Sequence, residues 1–396
     1  MTAEELVPVI LGGARTPFAR LGGAFAGLSA TELGAHAVRA ALERSGVEAR
    51  DIDAVVLGQV IQAGAGQGPA RQTAILAGLG WDVPTVTINK LCLSGLTAVI
   101  DAARLIRTGE ASVVVAGGQE SMTRTPHLLL GARDGIGVGA RPLEDALLHD
   151  GLLDPFDHRI MGRVTDDGNA ERGIRRERQD AYAALSHQRA AAARESGTLA
   201  EEIAPVTVPQ RRGPDVTVSE DDGIRPGTTV EILAGLKPAF SPEGTITAGS
   251  SSPLTDGAAA LVVASRGWAL SRGLPWIAEI AEHGQVAGPD NSLHSQPSAA
   301  ILRALDRRGG AVADLDLIEI NEAFASVVLQ SADDLGLAPE SVNLDGGAIA
   351  LGHPVGASGA RLALHLALAL RRRGGGLGVA ALCGGGGQGE ALLLQV

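Results

Sequence analysis

ALERSGVEARDIDAVVLGQ, residues 41–59, returns as ALDRRGGAVADLDLIEINE at residues 304–322. The two stretches align without a gap at an offset of 263 (304 minus 41), matching Ala41, Leu42, Arg44, Gly46, Asp51 and Asp53 to Ala304, Leu305, Arg307, Gly309, Asp314 and Asp316. Further on, INKLCLSG (88–95) meets IALGHPVG (349–356) at an offset of 261 (349 minus 88). Chance supplies one such match; two at nearly the same offset indicate a duplicated unit. Each copy is followed by an Ala/Leu-rich helical stretch and an apolar strand, SVVVAGG in one half and LGVAALCGG in the other. This alternation predicts sheets covered by helices, an α/β fold. Around the first copy, VPVILGG (7–13) and IDAVVLG (52–58) read as strands, and Ser29-Ala-Thr-Glu32 as a capping box opening a helix that ends near Gly46. A helix is expected from just after Cys92 to about Thr108-Gly109.

The duplication carries a consequence for chemistry. Cys92 falls opposite His353, and Gly95 opposite Gly356. Two halves packed about a pseudo-twofold axis bring equivalent positions close to that axis, so Cys92 and His353 are expected to face each other. A cysteine by itself is often a small buried hydrophobe. This one precedes Ser94-Gly95 and a helix, and the positive end of a helix dipole favours thiolate. A Cys–His pair is a means of activating a nucleophile. His353 is flanked by Gly352, Pro354 and Gly356 at a loop-to-helix start, where Gly permits close backbone approach and Pro suits a first turn.

Three other positions stand out. Cys383 opens CGGGGQG after an apolar strand. The glycine run fits neither G-x-G-x-x-G nor P-loop spacing before a helix; its N–H groups suit an oxyanion, and the thiol suits a proton carrier. Asn321 stands at a strand end where the first copy has Gly58, and reads either as a cap or as a holder of a water or carbonyl. Residues 123–252 are rich in Arg, Asp, Glu, Gly and Pro and interrupt the repeat. One clear helix is expected there, about Arg176 to Ser196; the insertion is either inert or a lid.

Composition bounds the function. The 396 residues suffice for two or three domains, and 45% are hydrophobic, enough for a large core. A net charge of −12 and 2% aromatic residues argue against nucleic acid as partner. Two cysteines form no disulfide framework and no metal cluster, which fits a reducing compartment. MTAEELVPVI reads as neither signal nor transit peptide, and no apolar run reaches the roughly 18 residues of a membrane span, so a soluble, cytoplasmic protein is expected.

The motifs ARTPF (14–18), NKLCLSGL (89–96), AGGQESM (116–122), TAGSSSPLTDGAAA (247–260), NEAFA (321–325), GGAIALGHPVGASGAR (346–361) and CGGGG (383–387), in this order, resemble those of the thiolases, the acetyl-CoA C-acyltransferases, along nearly the whole chain. The resemblance implies two α/β halves in five layers, αβαβα, with residues 1–122 and 253–275 forming the N-terminal half, 123–252 an inserted loop domain and 276–396 the C-terminal half. It implies Cys92 as the acylated nucleophile and His353 as its activator. His353, with a water held by Asn321, would form one oxyanion hole, and the N–H groups of Cys92 and Gly385 the second. Cys383 would carry the α-proton, and Ser252 would contact the pantetheine arm. The implied reaction is reversible Claisen condensation and thiolysis, in β-oxidation or acetoacetyl-CoA formation. Acetyl-CoA, acyl-CoA and CoA are substrates, no cofactor or metal is needed, and a homodimer or homotetramer is expected. Donors at an enolate oxygen contribute on the order of 3 kcal/mol each.

Several residues depart from the family pattern: Leu93 after the nucleophile, Ser250 in place of Asn, Ile160 where acetoacetyl-specific members carry His, and Gln388 and Glu390 in the last strand. Ile160 points to acyl chains longer than acetoacetyl. A decarboxylating β-ketoacyl synthase should show two site histidines and no second cysteine, and a non-catalytic relative should lack one of Cys92, His353 or Cys383. A dinucleotide-binding enzyme should carry a glycine fingerprint after its first strand.

Overall fold

A computed structural model describes residues 2–210 and 212–396. The capping box forms: Ser29 N–H donates to Glu32 Oε2 (2.8 Å) and Glu32 N–H to Ser29 Oγ (3.2 Å). It opens α1 (Ala30–Ser45), which Gly46 closes at φ 68°. The main sheet contains β1 (Pro8–Arg15), β2 (Ala54–Gly58), β3 (Thr85–Ile88), β4 (Val113–Ser121), β5 (Thr255–Ser265), β6 (Ala278–Ala287), β7 (Leu317–Ile320), β8 (Leu377–Gly384) and β9 (Gln388–Gln395). Their order is β7-β8-β9-β6-β1-β5-β4-β2-β3. β2 runs parallel to both its neighbours, β3 and β4, and β7 runs parallel to β8, while the remaining pairs are antiparallel. Among the described residues the halves join edge to edge only at Val9–Glu279 and Ile10–Ala278. That narrow hinge lets the continuous sheet fold over on itself.

Between the two sheet faces lie α2 (Ser94–Arg107) and α5 (Ser358–Arg372), the helices after the two repeat motifs. Leu96, Ile100 and Ile106 of α2 and Leu362, Leu366 and Leu370 of α5 meet Leu261 and Val263 from one sheet and Leu382, Leu392 and Leu394 from the other. Each such buried side chain contributes about 1.5–3 kcal/mol. Helix α1 covers the outer face of the first sheet; α3 (Gln296–Arg308) and α4 (Ala325–Leu335) cover that of the second. The result is five layers, the expected αβαβα order of two similar halves. The two middle helices begin in backbone contact. A Cβ at Gly95 would stand 2.8 Å from the Gly356 carbonyl oxygen, and one at Gly359 2.3 Å from Leu96 N. Gly95 and Gly356 are repeat equivalents, so the pseudo-twofold axis passes between them.

The halves differ at their outer edges. In the first, β3 pairs with β2 in parallel. In the second, among the described residues, no strand takes that place. Asn343, at φ 54°, lies beside β7 instead. Its N–H donates to Ile318 O (3.0 Å), its Oδ1 accepts from Ile320 N–H (2.8 Å), and its Nδ2 donates to Ile320 O (2.8 Å). One amide side chain thus does the bonding of a strand.

Between β4 and β5 the chain leaves the main sheet. The expected helix is Arg176–Glu195, but a second one, Met161–Arg172, was not legible in the sequence. Its stretch, MGRVTDDGNAER, has two glycines and no apolar stripe, because the face it buries is polar. Asp166 Oδ1 on that face accepts from Thr245 N–H (2.7 Å) and Ile246 N–H (3.2 Å). The insertion is fastened to the core by charge. Buried Arg15 donates to Glu202 (2.7 Å) and to both oxygens of Asp221 (2.6 and 2.8 Å), and His365 of α5 meets Glu202 Oε2 at 3.0 Å. Burial pulls the His365 pKa down, but the Glu202 and Asp345 carboxylates outweigh it and hold it at about 10. Bidentate, fully partnered pairs of this kind are costly to break from one side. Among the described residues no helix is long and apolar enough to cross a membrane.

Candidate active site

Cys92 sits in the turn between β3 and α2, one residue after Leu91 at φ 53°. That left-handed conformation is costly for a leucine and persists only when its surroundings fix it. Here Leu91 N–H donates to Asn89 Oδ1 (3.1 Å), and Leu91 O accepts from Ser94 N–H (2.9 Å) and Oγ (2.6 Å). The turn presents Cys92 to a cavity of about 480 Å³ also lined by His353, Cys383, Gly384, Gly385 and Ser252. Met122, Leu148, Leu152, Ile160, Phe240 and Phe324 supply apolar walls. Five of the six residues singled out from the sequence therefore share one cavity. The sixth, Asn321, lies fully buried behind it, with Nδ2 3.4 Å from His353 Nε2.

His353 is held through its backbone amide and both ring nitrogens. His353 N–H donates to Thr255 Oγ1 (3.1 Å), and Nδ1 lies 2.5 Å from Ser358 Oγ. Ser358 Oγ itself donates to Pro354 O (3.0 Å), so it accepts from His353, which places the proton on Nδ1. Nε2 is left as a lone-pair acceptor facing Asn321. Burial, with the Arg361 guanidinium adding to it, pushes the His353 pKa down to about 4, so the ring is neutral at physiological pH. Asn321 is fixed at the end of β7 by its N–H to Ala381 O (2.9 Å), and its Oδ1 has no hydrogen-bond partner among the described residues.

Cys383 lies in β8, opposite Gly389 of β9, packed against Leu293, Ala323 and Val327. Burial, and then the nearby Cys92 sulfur, push its thiol well above the usual range. The N–H groups of Cys92 and Gly385 both face Cys92 Sγ. Space at Gly385 is tight: a Cβ there would come within 2.8 Å of Leu91 Cδ1 and 3.0 Å of Met161 Sδ, so those side chains would have to shift. Ser252 is tied to Ala323 O through its N–H (3.1 Å) and Oγ (3.2 Å).

The expectation that the helix terminus makes Cys92 a thiolate is not met in the resting protein. Burial wins over the two N–H groups and pushes the thiol up to about 11. The thiolate fraction should then grow about tenfold per pH unit until pH approaches that value. Alkylation of Cys92 by iodoacetamide, followed by peptide mass, is expected to keep accelerating from pH 7 through pH 10. A rate that levels off below pH 8 would show a preformed thiolate–imidazolium pair instead.

Sequence reasoning missed Glu120. Its carboxylate accepts from the N–H groups of Val60 (2.9 Å), Ile61 (3.2 Å) and Gly356 (3.0 Å), bridging the two halves beside the site, and burial pushes its pKa up to about 8. Its signal was a carboxylate in the buried end of the strand VVVAGGQES, between Gln119 and Ser121. Arg225, which lines the cavity and a second one beyond it with Arg20 and His187, gave only turn signals in GIRPG. Two departures from the family pattern have simple packing outcomes. Leu93 fills the space over Gly384, where a Cβ would be 2.7 Å from Leu93 Cγ. Ser250 Oγ accepts from Thr247 N–H (2.9 Å) and keeps the turn.

Comparison with known proteins agrees with this architecture. Residues 8–267 match the family model of the thiolase N-terminal domain, and residues 274–396 that of the thiolase C-terminal domain. A probable acetyl-CoA acetyltransferase of Mycobacterium tuberculosis is 56% identical over 387 residues, and an acetyl-CoA acetyltransferase of Pseudomonas aeruginosa 48% over 388, with 98% of each chain covered in both cases. The crystal structure of the Bacillus anthracis acetyl-CoA acetyltransferase superposes with a TM-score of 0.95 at 38% identity, covering 98% of both chains. With both family models matched end to end and the five-layer fold shared, the chain belongs to the thiolase family.

Proposed function

We propose that the protein catalyses reversible condensation of acetyl-CoA with acyl-CoA, and thiolysis of the 3-ketoacyl-CoA product, through an acyl group carried on Cys92. Cys92 Sγ attacks the thioester carbonyl carbon and gives its proton to His353 Nε2. The C–S bond to CoA breaks, and the departing thiolate takes that proton. The oxyanion is met by the N–H groups of Cys92 and Gly385. Cys383 then gives its proton to His353 Nε2 and, as a thiolate, removes an α-proton from bound acetyl-CoA. The enolate oxygen is met by His353 Nε2–H and by a water on Asn321, and the carbanion displaces Cys92 from its acyl group, the released sulfur taking the proton back from His353 Nε2. Thiolysis runs the same steps backwards. What supports this most is the neutral imidazole, with its Nε2 lone pair free, in one cavity with two protonated thiols. A histidine in that state is the right base for a thiol that ionises only as it attacks. Ser252 would lie along the pantetheine arm, and the second cavity, with Arg20 and Arg225, would take the anionic nucleotide end of CoA. Incubation with acetyl-CoA should add one acetyl group to the Cys92 peptide; acetyl found elsewhere would remove the basis of this reading.

The similar proteins are named for acetyl transfer. Chain length is a separate matter. Ile160 and its apolar neighbours favour a longer acyl group, because each methylene buried in an apolar pocket is worth about 1–3 kcal/mol. Thiolysis of longer 3-ketoacyl-CoA esters is expected to exceed that of acetoacetyl-CoA about tenfold in kcat/KM, and Ile160→His to reverse the order. A strong wild-type preference for acetoacetyl-CoA would defeat the assignment.

The outer edge of β3, with Trp81 77% and Val86 49% exposed beside it, supports association into a homodimer. Exposed Leu130, Ile136, Val138 and Leu143 support pairing of dimers into a tetramer. Two buried free thiols suit a reducing, cytoplasmic setting.

A further inference from the structure

The last strand carries a buried carboxylate that none of these steps uses. Glu390 of β9 is wholly shielded from solvent. Its Oε1 accepts from Lys90 Nζ (2.9 Å) and from Gln285 Nε2, and its Oε2 from Thr97 Oγ1 (2.7 Å). Lys90 lies two residues before Cys92, and Thr97 five residues after it in the first turn of α2. The carboxylate therefore grips the Cys92 turn from both sides, across the boundary between the halves. Across the hairpin Glu390 pairs with Leu382 of β8, the residue before Cys383. One side chain thus joins the turn that bears one thiol to the hairpin that bears the other. An ion at this depth is costly unless fully partnered, and an apolar residue would pack there without that cost. The turn it grips contains the left-handed Leu91, which needs outside support.

We propose that Glu390 is a positioning residue: through Lys90 and Thr97 it clamps the Cys92 turn and sets the separation between the Cys92 and Cys383 sulfurs. This rests on the roles proposed above for those two thiols. Misplacement of a reacting group by about 1 Å costs as much as 10²-fold in rate. The test compares E390Q, K90M and K90M/E390M in thiolysis of a 3-ketoacyl-CoA, with acetyl-Cys92 trapped from acetyl-CoA in parallel. E390Q and K90M are each expected to lower kcat about 10- to 100-fold while KM for CoA stays within about twofold. The double variant should be no slower than the slower single one, since both remove the same clamp. Folded E390Q and K90M with kcat within about twofold of wild type would overturn the proposal, as would losses that multiply in the double variant. Should either single variant fail to fold, K90M/E390M decides alone, because it replaces the ion pair with apolar groups of similar length; wild-type kcat in it would overturn the clamp. A failure of the underlying roles shows separately, as acetyl recovered on a residue other than Cys92 in the wild type.

Discussion

Cys92→Ala is expected to abolish both condensation and thiolysis, with kcat falling on the order of 10⁴-fold or more, because it removes the thiol that the proposed reaction acylates. Cys383 is the only other thiol in the chain. It stands in a strand whose backbone is paired on both sides, so it cannot swing into the place of Cys92. The loss should not come from unfolding. The substitution removes one atom from a residue that borders an existing cavity, and Leu93 and Leu96, which anchor the turn below it, are untouched. Thermal denaturation close to wild type, with CoA still bound, should accompany the loss of turnover. Residual turnover within tenfold of wild type would assign the covalent step elsewhere.

Cys383→Ala should separate the two half-reactions. Acylation of Cys92 needs the thiol, the neutral His353 and the N–H groups of Cys92 and Gly385, all of which remain. Removal of the α-proton needs a base on the other side of the cavity, and loss of a positioned base costs about 10²–10⁴-fold. Acetyl-Cys92 is therefore expected to form at a rate within about tenfold of wild type and to persist, while condensation falls about 10³-fold. His353→Ala should behave differently and lose both halves, since Nε2 serves the attack of Cys92 and the enolate alike. If acetyl-Cys92 failed to form in Cys383→Ala, the division of labour between the thiols would be wrong. The high pKa of Cys383 in the resting site fits its part. A thiol that is reluctant to ionise becomes a strong base once it has lost its proton, and acetyl-CoA has a weakly acidic methyl group.

The sequence shows the pairing of Cys92 with His353 because the repeat is read at the glycines. Gly95 and Gly356 are small for one reason, contact between α2 and α5 at the axis, and that contact fixes everything equidistant from it. The capping box at Ser29 and the strand of β4 are legible because their causes are local. The helix Met161–Arg172 is not, because it packs a polar face and owes its existence to Thr245 and Ile246, far along the chain. The protonation of Cys92 is misread for a similar reason. A helix terminus can be found in a sequence, whereas the walls that exclude water from it, Met122, Leu152 and Val355, come from three separate segments. Glu390 shows both limits. It is visible as an oddity in an apolar strand, but its partners Lys90, Thr97 and Gln285 are known only after folding.

Asn343 bears on what happens between molecules. A gene doubled from one α/β unit would at first encode two open sheet margins, and a body with a sticky margin at each end adds copies without limit. By occupying Ile318 and Ile320, a single amide retires one of those margins while its counterpart stays available. In the proposed dimer, growth through backbone pairing would stop after one partner, and a protein built from a repeat would escape becoming a fibre.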